Sequence, residues 1–193
     1  GTVVPVRVAV SKIHAYQTPV GSVWLLGEVT NEGETAVENI QVEIGLLAAD
    51  GRLLGSATVW VATSIILPGE HGPFGVLVSE PPGDFAQPSV AIVGGQAVVE
   101  MGTRTLDFTV RDVALTINDD SVSLAGLVVN SGEMAASQVQ LVATFYDQQG
   151  NVTGYLQQQV AEALAVGEER PFLLKAAPPG AATLTYTLHA EAQ

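Results

Sequence analysis

The sequence predicts an all-β chain folded as two tandem β-sandwich domains. Three observations carry this: an internal duplication, apolar residues alternating with polar ones, and turn residues at short intervals. Gly27, Asn31, Gly33, Glu34, Gly51 and Gly55 return as Gly126, Asn130, Gly132, Glu133, Gly150 and Gly154, each pair 99 residues apart. Further on, Gly69-Glu70 and Pro73-Phe74 return as Gly167-Glu168 and Pro171-Phe172 at a spacing of 98, and Pro81-Pro82-Gly83 as Pro178-Pro179-Gly180 at 97. Each shortening is one residue lost from a loop. A period of about 100 residues is too long for a solenoid repeat and matches an independently folding domain.

The elements follow from the alternation. In each copy the opening strand is Val6, Val8 and Val10, matched by Leu106, Phe108 and Val110. Ile40, Val42, Ile44 and Leu46 alternate with Gln41, Glu43 and Gly45, and Val139, Leu141, Ala143 and Phe145 alternate with Gln140 and Thr144. A period of two puts one set on a buried face and the other outside. Phe74, Val76 and Val78 match Phe172, Leu174 and Ala176, and the closing strands are Val90/Ile92 and Leu184/Tyr186/Leu188. Gln157 to Leu164 has helix-like content, but its counterpart, Thr58 to Ile65, is β-branched and aromatic. Both are read as strand and loop.

Between these runs stand Asn31-Glu32-Gly33, Asp50-Gly51, Pro68-Gly69 and Pro81-Pro82-Gly83. Asn, Asp and Gly supply the positive φ of tight turns, and Pro fixes the entry to one. Six or seven short strands per copy with such punctuation predict sandwiches of immunoglobulin or fibronectin type. The boundary falls between Gly94 and Thr103, giving domains at residues 1–97 and 103–193.

Charge excludes several functions. The net charge of −13 is shared: residues 1–100 hold three Lys/Arg against ten Asp/Glu, and residues 101–193 four against ten. Nucleic-acid affinity rests on neutralising phosphates, so a chain without a basic cluster is not expected to bind nucleic acid. An anionic membrane surface repels it too. No apolar run approaches the roughly 18 residues of a membrane-spanning helix. The absence of cysteine removes disulfides, thiolate metal sites and cysteine nucleophiles. A start at Gly1 without Met fits a mature or excised chain.

Little in the sequence suggests catalysis. His14, His71 and His189 do not recur between the copies and sit in no motif; they read as surface loop residues rather than as parts of a relay with Ser or Thr and a carboxylate. Asn118-Asp119-Asp120 offers oxygen ligands, but three residues at a hairpin tip are short of the six to eight that Ca²⁺ takes. They read as a self-satisfied turn, and no metal or cofactor is expected. Glu32/Glu34 and Glu168-Glu169 read as solvated turn charges. Asn151-Val152-Thr153 is a formal glycosylation sequon at a turn.

The informative departure between the copies is apolar. With Leu25, Gly27 and Val29 inward, Trp24 and Leu26 face outward where copy two has Ser123 and Ala125, and Trp60 stands where copy two has Gln159. Exposed aromatic surface is where partners bind. Only 14% of residues are charged and mean hydropathy is +0.33, so a second covered face is expected. The N-terminal segment carrying Val4, Val6 and Val8 is a second candidate surface, able to add to a neighbour's sheet, although its simpler reading is the first strand of its own domain. The candidate interaction surface is therefore Trp24, Leu26, Trp60, Val4, Val6 and Val8.

Nearly the whole chain also resembles a known family, the second copy more fully than the first. Gly126-Leu127-Val128-Val129-Asn130-Ser131-Gly132, then Phe145-Tyr146-Asp147 before Gly150, then Gly167-Glu168 and Pro171-Phe172, is similar to the FxLYD-type domain of bacterial and archaeal envelope and secreted proteins. Copy one keeps Gly27-Glu28-Val29-Thr30-Asn31-Glu32-Gly33 and Pro68-Gly69-Glu70 but has Leu46-Leu47-Ala48 in place of the aromatic and acid. The resemblance implies a fold and an extracellular or cell-envelope setting, with no shared catalytic set. The expectation is a non-catalytic spacer, adhesive or assembly module that binds another protein or itself, in one form as a cell-surface filament. The alternative is a carbohydrate- or peptide-binding module that uses the tryptophans as a stacking platform.

Overall fold

A computed structural model describes residues 6–180 and 182–193. The chain divides into two compact units, Gly1–Val99 and Glu100–Gln193. Every element among the described residues is a β-strand, and every strand pair is antiparallel.

The first unit runs β1 (Val8–Val10), β2 (His14–Gln17), β3 (Val23–Asn31), β4 (Val37–Ala48), β5 (Leu53–Trp60), β6 (Ile65–Ile66), β7 (His71–Val78) and β8 (Phe85–Ala97). In one sheet β3 is central: β7 lies on one side, and on the other β1 pairs its C-terminal end while β2 pairs its N-terminal end. β1 and β2 thus form one broken edge strand. At the break, Ser11 N–H donates to Glu28 O and Glu28 N–H donates to Ser11 Oγ. In the other sheet β4 is central, between β8 and the pair β5 and β6.

The second unit repeats the plan with fewer breaks: β9 (Phe108–Ile117), β10 (Val122–Asn130), β11 (Ala136–Tyr146), β12 (Val152–Leu164), β13 (Glu169–Ala176) and β14 (Thr185–Glu191). Its sheets are ordered β13-β10-β9 and β12-β11-β14. Gln157 to Leu164 is strand throughout, because it pairs with β11 as far as Leu164; its counterpart in unit one breaks after Trp60. This is the immunoglobulin-like sandwich, in duplicate.

Each unit has its own core. In the first, Leu25, Val29, Ile40, Val42, Ile44, Ile66 and Phe74 meet between the sheets; in the second, Leu124, Val128, Val139, Leu141, Phe145, Leu164, Phe172 and Leu174 do so. These are the inward residues that alternation selects. Leu184 is an exception: it precedes β14 and is exposed, while Tyr186 and Leu188 pack inward. Val6, Val8 and Val10 pack against the first core. Val6 and Val8 are therefore structural, not a free docking surface, because both pack against the core between the sheets, Val8 from its register opposite the buried Asn31. Val4 lies outside the described residues.

Candidate functional site

The repeated motif is the scaffold's skeleton. Asn31 is fully buried; its Nδ2 donates to Thr35 O (2.8 Å) and Ile66 O (2.9 Å), and its Oδ1 accepts from Gly33 N–H (2.9 Å). Asn130 does the same to Met134 O (2.8 Å), Leu164 O (2.9 Å) and Gly132 N–H (3.0 Å). A single amide thus ties the loop after β3, or after β10, to a strand of the opposite sheet. One side chain makes three hydrogen bonds to backbone groups there.

The motif glycines are explained by contact. A Cβ on Gly27 would sit 2.7 Å from Phe74 Cζ, and one on Gly126 would sit 2.9 Å from Phe172 Cζ. The ring fills the space that a side chain would occupy. Gly51 and Gly150 hold φ of 84° and 80° in equivalent turns, where Gly donates to Ala48 O or Asp147 O. Phe145 is core, whereas Asp147 accepts from the N–H groups of Gln149 and Asn151 and from Asn151 Nδ2. The sequon asparagine is thus a turn residue bonded to an aspartate. Copy one, lacking the acid at Ala48, has one such bond, from Arg52 N–H to Asp50 Oδ1.

The histidines are on strands rather than in loops. The edge-strand break put His14 on β2, and His71 and His189 begin β7 and lie within β14. His71 Nδ1 lies 2.8 Å from Thr30 Oγ1 and 3.8 Å from Glu28 Oε1. Both contacts fall on the same ring nitrogen, so the carboxylate does not orient the ring from its far side as a relay requires. His189 Nε2 meets Glu191 Oε2 at 3.0 Å across the i, i+2 spacing of one strand face. Asn118-Asp119-Asp120 is a tight turn closed by Asn118 N–H to Ser121 O. Among the described residues no group of three or more His, Asp or Glu is placed to hold a metal. Glu168 accepts from Ala165 N–H and from Arg170, and these bonds hold its carboxyl below the usual range. Burial pushes the Tyr155 phenol up.

The two tryptophans lie on different sheets. Trp24 is on β3 opposite Tyr16 and Leu77; Trp60 is on β5 opposite Gln41. Each is on the outer side of its own sheet, so the two rings look away from one another across the sandwich. They cannot form one stacking platform. Leu26 shares the outer face with Trp24 but is only 1% exposed. It sits mid-strand with His14 opposite on one side and Gly75 on the other, and Trp24 and Glu28 share its face two residues away. As an exposed contact residue Leu26 is excluded. Trp24 is half-buried.

Two residues that alternation alone did not reveal belong to this face. His14 and Tyr16 lie beside Leu26 and Trp24 with rings 6.5 Å apart and roughly stacked. In β9 the corresponding positions are Ala114 and Thr116, while Leu115, which packs inward, and Ile117 correspond to Ala15 and Gln17. The edge strand of the first unit thus carries its large residues on the outer face instead. Comparing the copies at a spacing of 100 upstream of Trp24 contains that signal.

No protein-family model and no curated protein sequence matches the chain. Among solved structures it is similar to red sea bream transglutaminase (11% identity, TM-score 0.31, covering 92% of this chain and 27% of that one). It is also similar to Bacteroides uniformis β-glucuronidase 2 (16%, 0.29, 87% and 24%) and Amycolatopsis orientalis exo-chitosanase (12%, 0.25, 82% and 21%). The chain spans about a quarter of the length of these proteins.

Proposed function

We propose that the chain is a non-catalytic, exported structural or interaction protein: two immunoglobulin-like modules in series, serving as spacer, adhesive or assembly unit in the cell envelope or outside it. One observation carries the reading. What the copies share, namely the Asn clamps, the Gly–Phe contacts and the turns, is consumed by the fold, whereas Trp24, Trp60, His14 and Tyr16, which have no counterparts in the second copy, lie on outward faces. A site divergent on a shared scaffold fits recognition, since fold alone does not set function. The resemblance to FxLYD-type domains supports the envelope setting.

The specific form is self-association head to tail, a heterologous contact that does not close and so yields a filament. Light scattering coupled to size exclusion, with negative-stain microscopy, tests it. Mass growing with concentration, together with fibres, is expected; strict monomers at high concentration without fibres defeat the assembly form.

A further inference from the structure

We infer that the outer face of β4, β5 and β8 in the first unit binds a neutral oligosaccharide, with Trp60 as the stacking surface and Gln41, Glu43 and Thr58 as its hydrogen-bonding groups. Trp60 is 59% exposed, and no other Phe, Tyr or Trp among the described residues is exposed. The fold does not require it there, because Gln159 fills the same register position in the second unit. Leaving an indole in water forgoes burial worth about 2 kcal/mol or more, so its retention at a position that accepts glutamine points to a contact made with something else.

The surroundings of Trp60 select the ligand class. With Val42 and Ile44 inward, the outer rows read Trp60-Gln41-Gly94, Thr58-Glu43-Ala91 and Ser56-Gly45-Ser89. In the second unit the same rows read Gln159-Gln140-Glu191, Gln157-Val142-His189 and Tyr155-Thr144-Thr187, and the His189–Glu191 pair stands on the third strand. The strip beside the polar row is thus occupied in unit two and low in unit one. A Cβ on Gly94 would lie 3.1 Å from Gln41 Oε1, so that glycine lets the Gln41 amide lie flat over β8.

The result is a face with one rigid aromatic side chain, an amide and a carboxylate two residues apart on β4, and a hydroxyl on β5, the neighbouring strand about 4.8 Å away. A pyranose ring has the matching chemistry: an apolar C–H face for the indole and hydroxyls that both donate and accept. Glu43 accepts from hydroxyls and repels anions, and none of the three rows carries Lys or Arg, which argues against phosphate, sulfate or uronate ligands. A protein interface would need an apolar centre of several residues, whereas beside Trp60 this face carries one further exposed large apolar side chain, Leu53, which lies against Gly45.

The test is affinity electrophoresis of the full chain in native gels containing laminarin, barley β-glucan, xylan or soluble starch, with dextran sulfate and polygalacturonate as anionic controls. At least one neutral polysaccharide is expected to retard the wild type while the anionic ones do not. W60Q, which installs the residue of the second unit, is expected to weaken that retardation at least about tenfold at unchanged thermal stability, and W24F is expected to leave it intact. No retardation by any of the four, retardation by the anionic polymers alone, or W60Q equal to wild type would overturn the inference. It does not rest on self-association: light scattering of the same samples reads that separately, so either idea fails without the other.

Discussion

Asn31→Ala is expected to destabilise the first unit by about 3 kcal/mol or more, and Asn130→Ala the second unit by a similar amount. Each substitution removes two hydrogen bonds to carbonyls and one from an N–H at a site whose side chain is fully buried. Asn31→Asp should be no milder, since a carboxylate still accepts from Gly33 N–H but donates nothing to Thr35 O or Ile66 O. The readout separates the units cleanly. Both tryptophans lie in the first unit, so indole fluorescence in a denaturant titration follows that unit alone while circular dichroism follows both. Asn31→Ala should move the fluorescence transition and Asn130→Ala should leave it in place. A fluorescence shift of the same size in both variants would show that the clamps do not act within their own units.

The second large effect is steric. Gly126→Ala places a methyl 2.9 Å from Phe172 Cζ and 3.1 Å from the backbone carbonyl of Arg111, and the latter cannot move away without breaking the pairing of β9. A loss of about 3 kcal/mol is expected. Gly27→Ala meets only the Phe74 ring, at 2.7 to 3.3 Å, and should cost less. Adding Phe74→Leu is then expected to relieve part of the Gly27→Ala penalty. A double-mutant cycle from urea unfolding measures this, and additive losses would mean that the ring contact is not the reason for the glycine.

The sequence was informative where the cause is local. Ile40, Val42, Ile44 and Leu46 announce an inward strand face by their own spacing, and Gly51 and Gly150 announce turns because few residues tolerate their φ. The duplication supplied the rest, since it marked Asn31, Gly27 and Phe74 as important before any contact was known. Non-local consequences stayed hidden. That Trp24 and Trp60 belong to opposite sheets depends on how β3 and β5 are distributed between the layers, which alternation does not encode. Leu26 has the right parity for an outer face, yet it is buried there, in a strand flanked by β2 and β7 that pairing brings beside it. His14 itself looked like a loop residue because the break between β1 and β2 interrupts the apolar period. Trp60 could be singled out by comparison with Gln159, but the low strip of Gly94, Ala91 and Ser89 beside it comes from β8, about thirty residues on, and needed the register.

The most direct test of the account is to produce residues 1–99 and 100–193 as separate chains and follow their unfolding by circular dichroism in urea. Two self-contained cores predict a cooperative transition for each, with the Asn31→Ala and Asn130→Ala losses reproduced in the matching half. Halves that unfold without cooperativity, or that acquire structure only when mixed, would contradict it.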